Sequence, residues 1–313
     1  MQIVWDINNY HSDRDHVVSL GTFDGVHLGH QAILAKLKEK SAQTDSVASM
    51  ITFEPHPQLV VQREFQASVH ILTTIEEKIE IFTELGLDQL VVAHFTRSLA
   101  GMAPERFIEH ILLDRLHMKQ VIIGHDHAFG HGRSGNFQLL EKMGAERGFI
   151  VSALEPVQVD GHTVSSTKIR HFLLRGEVKK AARLLGRPYM LQGQVVGGDE
   201  RGRRLGFPTI NLRPFSQYKL VPGPGIYATR LLIDGESHQS VTYIGSRPTF
   251  NGLEKVIESH VFDFDRDVYG KAVEISFAEF IREDKKFGDE DGLVDQIKKD
   301  LQVTLELFKK ETS

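Results

Sequence analysis

The sequence predicts two domains in series: an α/β domain on a parallel sheet wrapped by helices, then a small antiparallel β-barrel with a C-terminal helix. Three observations carry this prediction. Over residues 1–185, short apolar runs alternate with amphipathic stretches, the rhythm of parallel strands joined by helical crossovers. After Gly186, Arg187 and Pro188, strand-like runs follow one another without helices, which suits antiparallel pairing over residues 186–313. The chain then closes on Leu293, Ile297, Leu301, Leu305 and Phe308, three or four apart, the apolar stripe of a helix that packs on the barrel.

In chain order, the first half is expected to place strands at 16–20, 47–53, 89–95, 120–124 and 149–154. Between them, Ile33, Leu34 and Leu37 recur at helical spacing. Thr74 with Glu77 forms a capping box for a helix over 75–85. Pro104 suits the first turn of 105–112, and 137–147 supplies another amphipathic run. In such a sheet, ligands bind beyond the carboxyl ends of the strands. The second half is expected to place strands at 190–196, 226–233, 239–244, 256–264 and 273–281, with Asp234-Gly235 as a hairpin turn. Five or six strands in about a hundred residues suit a small barrel.

Composition narrows the function. Length of 313 residues allows two cores, and 41% hydrophobic with 25% charged residues is ordinary for a soluble protein. No apolar run approaches the ~20 residues of a membrane span, and Asp6, Asp13, Arg14 and Asp15 stand where a secretion signal would be apolar. Cytoplasm is the expected compartment, with no membrane partner. The absence of cysteine rules out disulfides and thiolate chemistry, so any metal must use histidine or oxygen ligands. A net charge of −5 argues against nucleic acid as a partner. A homo-oligomer is compatible with the sequence, which does not set the number of copies.

Residues 21–30 read G-T-F-D-G-V-H-L-G-H, between an apolar strand and a helix. Gly21 and Gly25 let backbone approach a ligand, and the unpaired amides of a helix start attract an anion. His27 and His30 lie three apart on a helical turn and point the same way. Helix capping and metal binding are the plainer readings of such a pair. The segment is similar to the H-x-G-H signature of the nucleotidyltransferase superfamily, preceded by a G-x-F-D-G that resembles its flavin-nucleotide branch.

Two further pieces lie in the first half. Residues 124–135 read G-H-D-H-A-F-G-H-G-R-S-G after a strand, and His125, His127 and His131 leave a metal site open beside the simpler reading of a nucleotide-contacting loop. Residues 165–170 read S-S-T-K-I-R, where hydroxyls and helix-start amides precede a guanidinium, a grouping suited to phosphate. Together with F-E-P-H-P at 53–57, these pieces resemble the adenylyltransferase half of bacterial bifunctional riboflavin kinase/FAD synthetases. The resemblance implies a Rossmann-like nucleotidyltransferase domain. It implies that His27 and His30 stabilise the phosphates of ATP, that Asp126 helps bind nucleotide, and that Ser166, Thr167 and Arg170 hold the triphosphate, with Ser165 placed beside them at the nucleotide. Gly21, Phe23, Asp24 and Gly25 are placed at the nucleotide with them. The usual G-x-D-F-x-F-G of that loop carries His127 in place of its first aromatic.

Physical chemistry fits this assignment. FMN carries a phosphate of about −1.5 to −2 charge at neutral pH, so as acceptor it needs alignment and charge neutralisation rather than a base. Imidazole, amide and guanidinium donors supply both.

From Gly193 the second half reads G-Q-V-V-G-G-D-E-R-G-R-R-L-G-F-P-T-I-N, a strand, a loop rich in glycine and arginine, and then Pro208 to Asn211. No G-x-x-x-x-G-K-[ST] occurs, so a grip on ATP must come from amides around Gly198, Gly202 and Gly206. Thr209 and Asn211, two apart in extended chain, face one way and offer neutral oxygens suited to magnesium. A kinase acting on an alcohol also needs a proton acceptor, and Glu258 is the candidate, sharing a face with Val256, His260 and Phe262. The alternative turns Glu258 outward, with Ile257 and Val261 inward. The P-T-A-N signature of riboflavin kinases is resembled by P-T-I-N, with G-I-Y-A, I-G-S-R-P-T-F, E-S-H-V-F-D-F and D-V-Y-G following in family order. That resemblance implies that Thr209 and Asn211 bind Mg-ATP and that Glu258 acts as base.

The resulting expectation is a two-step enzyme. The barrel phosphorylates riboflavin to FMN and the α/β half adenylylates FMN to FAD, each with ATP and Mg2+. An alternative keeps the transferase and makes the barrel a non-catalytic flavin-binding module. Another uses Arg201, Arg203 and Arg204 on the barrel for oligonucleotide binding.

Overall fold

The computed structural model describes residues 1–61, 69–124, 129–130, 132, 134–198, 201–249 and 252–311. The chain divides into two compact units, Met1–Ser166 and Thr167–Ser313. In the first, strands β1 (Gln2–Val4), β2 (His16–Leu20), β3 (Val47–Glu54), β4 (Gln89–His94), β5 (Met118–Gly124) and β6 (Ile150–Leu154) form one sheet. Its order is β1-β4-β3-β2-β5-β6, and every pair is parallel. Helices α1 (Leu28–Thr44), α2 (Pro57–Val61), α3 (Ile75–Glu84), α4 (Arg97–Ala100), α5 (Pro104–Phe107) and α6 (Phe137–Arg147) occupy the connections. A small hairpin, β7 (Gln158–Val159) with β8 (His162–Thr163), ends the unit.

All five residues of β2 are buried, as expected of a central strand covered on both faces. From β2 the chain steps through β3 to β4, then returns to the other side of β2 for β5 and β6. This reversal opens a crevice beyond the carboxyl ends of β2 and β5, where an α/β sheet binds its ligand. The expected capping box at Thr74 and Glu77 forms. The helix expected over 105–112 instead passes from α5 into a π-helical stretch, Ile108–Leu113, which turns Ile108, Ile111 and Leu112 into the core. β1 and the β7–β8 hairpin are too short to leave a periodic signal and were not foreseen.

Opposite the crevice, His16 is fully buried. Its ring nitrogens bond the hydroxyls of Ser49 and Ser12, each at 2.7 Å, and Ser49 donates onward to Gln89 Oε1 at 3.0 Å. Burial above all, then the charges of Arg14 and His117 and against that of Asp15, lowers its pKa from 6.5 to about 4. The neutral ring is the native form, so the unfolded chain binds the proton more tightly. Stability is therefore complete above about pH 6.5 and declines as pH falls toward 4, by up to about 3 kcal/mol. Urea midpoints measured between pH 7 and 4 are expected to fall more steeply for the wild type than for His16→Gln. Parallel curves would dismiss this account.

The second unit holds α7 (Ser166–Leu174, its first residue belonging to the first unit), α8 (Val178–Leu185), β9 (Tyr189–Val196), α9 (Arg201–Arg204), β10 (Ile210–Pro214), β11 (Gly225–Ile233), β12 (Glu236–Thr249), β13 (Gly252–Val261), β14 (Ala272–Arg282) and α10 (Glu290–Glu311). The six strands close a barrel in the order β10-β13-β12-β11-β14-β9, and all neighbours are antiparallel. P-T-I-N leads into β10, the one barrel strand outside the five expected runs. Asp234 and Gly235 turn the β11–β12 hairpin at φ 51° and 83°, as expected of that pair. Inside, Leu191, Leu231, Ile275 and Phe277 pack around a buried ladder of hydroxyls from Thr229, Ser240, Thr242 and Ser259. Helix α8 packs on β9 and β14, and α10 packs on β11, β12 and β14. Arg282 Nε and Nη2 reach Asp300 at 2.9 and 2.7 Å, and Phe308 lies buried under Arg230.

Candidate active site

The loop after β2 adopts backbone angles that ordinary chain avoids. Phe23 has φ 45°, Gly25 φ 90° and Val26 φ 39°, the last a β-branched residue in left-handed conformation. Such strain gathers at functional sites and persists where surrounding structure imposes it. Hydrogen bonds to Leu72, Thr73 and Ser166 impose it here. Asp24 Oδ1 accepts from the amides of Leu72 and Thr73 at 2.8 and 3.0 Å, while Gly25 N donates to Thr73 Oγ1 at 2.9 Å. Ser166 Oγ donates to the Asp24 carbonyl at 2.8 Å.

Out of this loop grows α1, with His27 as its N-cap and Nδ1 accepting from His30 N at 3.4 Å. Capping and the proposed phosphate role thus share one residue, because the cap fixes the ring. The imidazoles of His27 and His30 stack at 3.6 Å with planes 16° apart. Phe23, only 3% exposed, meets His30 at 5.3 Å and Phe82 at 6.0 Å with ring planes nearly perpendicular, so it underpins the pair from the core.

The surroundings are charged and buried. Lys78 and Glu77 are both buried; desolvation pulls the Lys78 pKa down, and the charges of Asp24, Glu54 and Glu77 oppose it. Glu54, at the carboxyl end of β3 within F-E-P-H-P, has its pKa raised by desolvation. Gly21 begins the loop, its amide on the Ile51 carbonyl at 3.0 Å. Thr167 and Arg170 lie on α7, which starts at Ser166, with Ser165 just before it. Asp126, and with it His125, His127 and His131, lies outside the described residues. Among the described residues no three His, Asp or Glu side chains gather as a metal site.

In the barrel, Gly198, Arg203, Pro208, Thr209, Asn211 and Tyr269 line one polar cavity. The fit is close: a Cβ at Gly198 would stand 2.1 Å from Asn211 Nδ2, so glycine lets the loop lie against that amide as it stands. Gly202 sits in the turn of α9, with Phe207 N bonded to its carbonyl at 2.8 Å, and Gly206 completes the turn at φ 86°. His260 Nδ1 donates to the Pro208 carbonyl at 2.9 Å and so holds P-T-I-N from the neighbouring strand.

Glu258 follows from register. Ile257, Ser259 and Val261 point into the barrel, and Glu258 takes the other face, where it is half-buried. On that face it stands directly opposite Asn211 of β10 and Tyr243 of β12. Ile257 and Val261 are thus inward, as the alternative had it, yet outward here means beside Asn211. Thr73, which secures the first loop, and Tyr269, which lines the barrel cavity, were missed as functional residues. Thr73 carries no motif, whereas Tyr269 lies in D-V-Y-G and was visible there.

Comparison with known proteins follows the same division. A family model described as FAD synthetase matches residues 9–168, and one described as riboflavin kinase matches residues 185–308. A bifunctional riboflavin kinase/FMN adenylyltransferase of Listeria monocytogenes is 37% identical over 96% of this chain and 94% of its own length. One of Haemophilus influenzae is also 37% identical, over 93% of this chain and 94% of its own. A crystal structure described as a macrolide-efflux protein of Streptococcus pneumoniae superposes with TM-score 0.88 at 28% identity, covering 96% of this chain and 97% of that one. Among the described residues of this chain no helix is long and apolar enough to cross a membrane. With both family models matched in order and close relatives covering nearly the whole chain, the protein belongs to the bifunctional riboflavin kinase/FMN adenylyltransferase family.

Proposed function

We propose a division of labour in which residues 186–313 carry the kinase site and residues 1–185 the adenylyltransferase site. Riboflavin is phosphorylated to FMN, and AMP from ATP is transferred to FMN, giving FAD and pyrophosphate. The observation that supports this reading most strongly is the pairing of Asn211 with Glu258 across β10 and β13. It sets a carboxylate beside neutral oxygen donors in the half that must deprotonate an alcohol.

In the kinase half, Glu258 takes the proton of the riboflavin hydroxyl as it attacks the γ-phosphorus. Amides around Gly198 and Gly202 hold the ATP phosphates, while Gly206, whose amide and those beside it are bonded within the turn, shapes the loop. Thr209 and Asn211 would hold Mg2+, whose charge, when bound, neutralises phosphate oxygens. Their neutral donors suit an ion that keeps water and phosphate as its remaining ligands.

In the transferase half, the acceptor is already anionic and His27 and His30 stabilise charge developing on the α-phosphate of ATP. Ser165, Thr167, Arg170 and Asp126 are assigned to the nucleotide with them, while Gly21 and Gly25, whose amides are taken by Ile51 and Thr73, serve by letting the backbone pass close to it. Phe23, Asp24 and Ser166 act by shaping the loop, since Phe23 and Asp24 are buried and the Ser166 hydroxyl bonds the Asp24 carbonyl. The proposed setting is the cytoplasm, with small-molecule partners rather than nucleic acid.

Incubation with riboflavin, ATP and magnesium, followed by chromatography, tests the reading. FMN and FAD are expected to appear, with ADP from the first step and pyrophosphate from the second. FAD formed only when FMN is supplied, without ADP release, would make the barrel a flavin-binding module instead.

A further inference from the structure

The face of the barrel that carries Glu258 holds a second functional group beside it. Asn211, Glu258 and Tyr243 form one row across β10, β13 and β12, each directly opposite the next. Directly opposed residues in an antiparallel pair hold their Cβ atoms about 4.5–5.5 Å apart. Glu258 is therefore flanked on one side by Asn211 and on the other by the ring of Tyr243.

That ring is fixed at its far end. Tyr243 Oη donates to Asp284 Oδ2 at 3.0 Å, and Asp284 Oδ1 accepts from Lys285 N at 2.8 Å, so both carboxylate oxygens are engaged. Asp284 follows Arg282, which is locked to Asp300 of α10. The ring also needs room, because a Cβ at Gly245 would come within 2.0 Å of Tyr243 Oη. Burial first, then the charge and hydrogen bond of Asp284, and then the charge of Glu258 push the phenol pKa up to about 12. The phenol stays protonated across the working range and remains a donor.

We propose that Tyr243, tethered by Asp284, is a positioning residue for the kinase reaction: its ring restricts Glu258 to the rotamers that face Asn211 and the bound phosphates. The inference rests on Glu258 being the base. Tyr243 does not touch the reacting atoms in this account. It narrows the freedom of the group that does, and misplacement of a catalytic group by about 1 Å can cost roughly 100-fold in rate.

The test uses the full-length enzyme, with FAD formation from supplied FMN as an internal check on folding. Tyr243→Ala is expected to lower kcat for riboflavin phosphorylation roughly 10-fold or more, with KM for ATP changed less than about twofold. Tyr243→Phe and Asp284→Ala each remove one end of the tether and are expected to lower kcat by a similar, smaller factor. The double variant Tyr243→Phe/Asp284→Ala is expected to match either single one, because both disrupt one hydrogen bond. Kinase kcat within about twofold of wild type in Tyr243→Ala, or effects of the two tether variants that multiply, would overturn the proposal. If Tyr243→Ala also loses FAD formation, the tether variants decide. Glu258→Gln separates the two layers. Kinase turnover that survives it removes the base reading itself, whereas turnover lost there but kept in Tyr243→Ala removes only the positioning role.

Discussion

Replacing His30 by alanine is expected to lower FAD formation from FMN by about 10²- to 10³-fold, while FMN formation from riboflavin keeps its rate. The loss follows from geometry. His30 stacks on the capping His27 at 3.6 Å and meets Phe23 in a T-shaped contact at 5.3 Å, so the ring is held in place before any nucleotide arrives. A preorganised donor aimed at developing charge typically supplies that much acceleration, and alanine supplies none. The effect on folding is small because His30 is only half-buried and alanine favours the helix. Separate assays with riboflavin and with FMN make the check. Loss of both activities in a folded protein would show that the two steps share a site.

Glu258→Gln is expected to reverse that pattern. FMN formation falls by about 10²- to 10⁴-fold, the usual contribution of a positioned general base, while FAD formation from supplied FMN continues. Glutamine keeps the size of the side chain, and hence the packing opposite Asn211 and Tyr243, but it cannot accept a proton. The isosteric change therefore separates chemistry from structure. A Glu258→Gln enzyme that still phosphorylates riboflavin would leave Glu258 a structural residue of the barrel face. Taken together, the two variants assign each reaction to its own half.

Much of this was legible in the residues. Alternation of strand and helix, the G-T-F-D-G-V-H-L-G-H run and the change of rhythm after Pro188 led to both folds and to the imidazole pair. The capping box at Thr74 and the Asp234-Gly235 hairpin formed because their chemistry is local and satisfied within four residues. Other features were not legible. The extended row on which Asn211 meets Glu258 joins residues 47 apart in the sequence, and only strand register makes them neighbours. Period two told which residues share a face of β13, but not which face meets P-T-I-N.

The sequence by itself determined the class of each half, the order of the domains and the residue types available for phosphate chemistry, because periodicity, turn residues and motif spacing are short-range properties. The tertiary structure alone decided how those residues are held. Asp24 proved to be a buried anchor for Leu72 and Thr73, and Ser166 a clasp on the Asp24 carbonyl. Tyr243 became the neighbour of Glu258 with its phenol on Asp284. Hydrogen bonds that span tens of residues depend on closing the sheet and the barrel, and no local pattern in the chain encodes their partners.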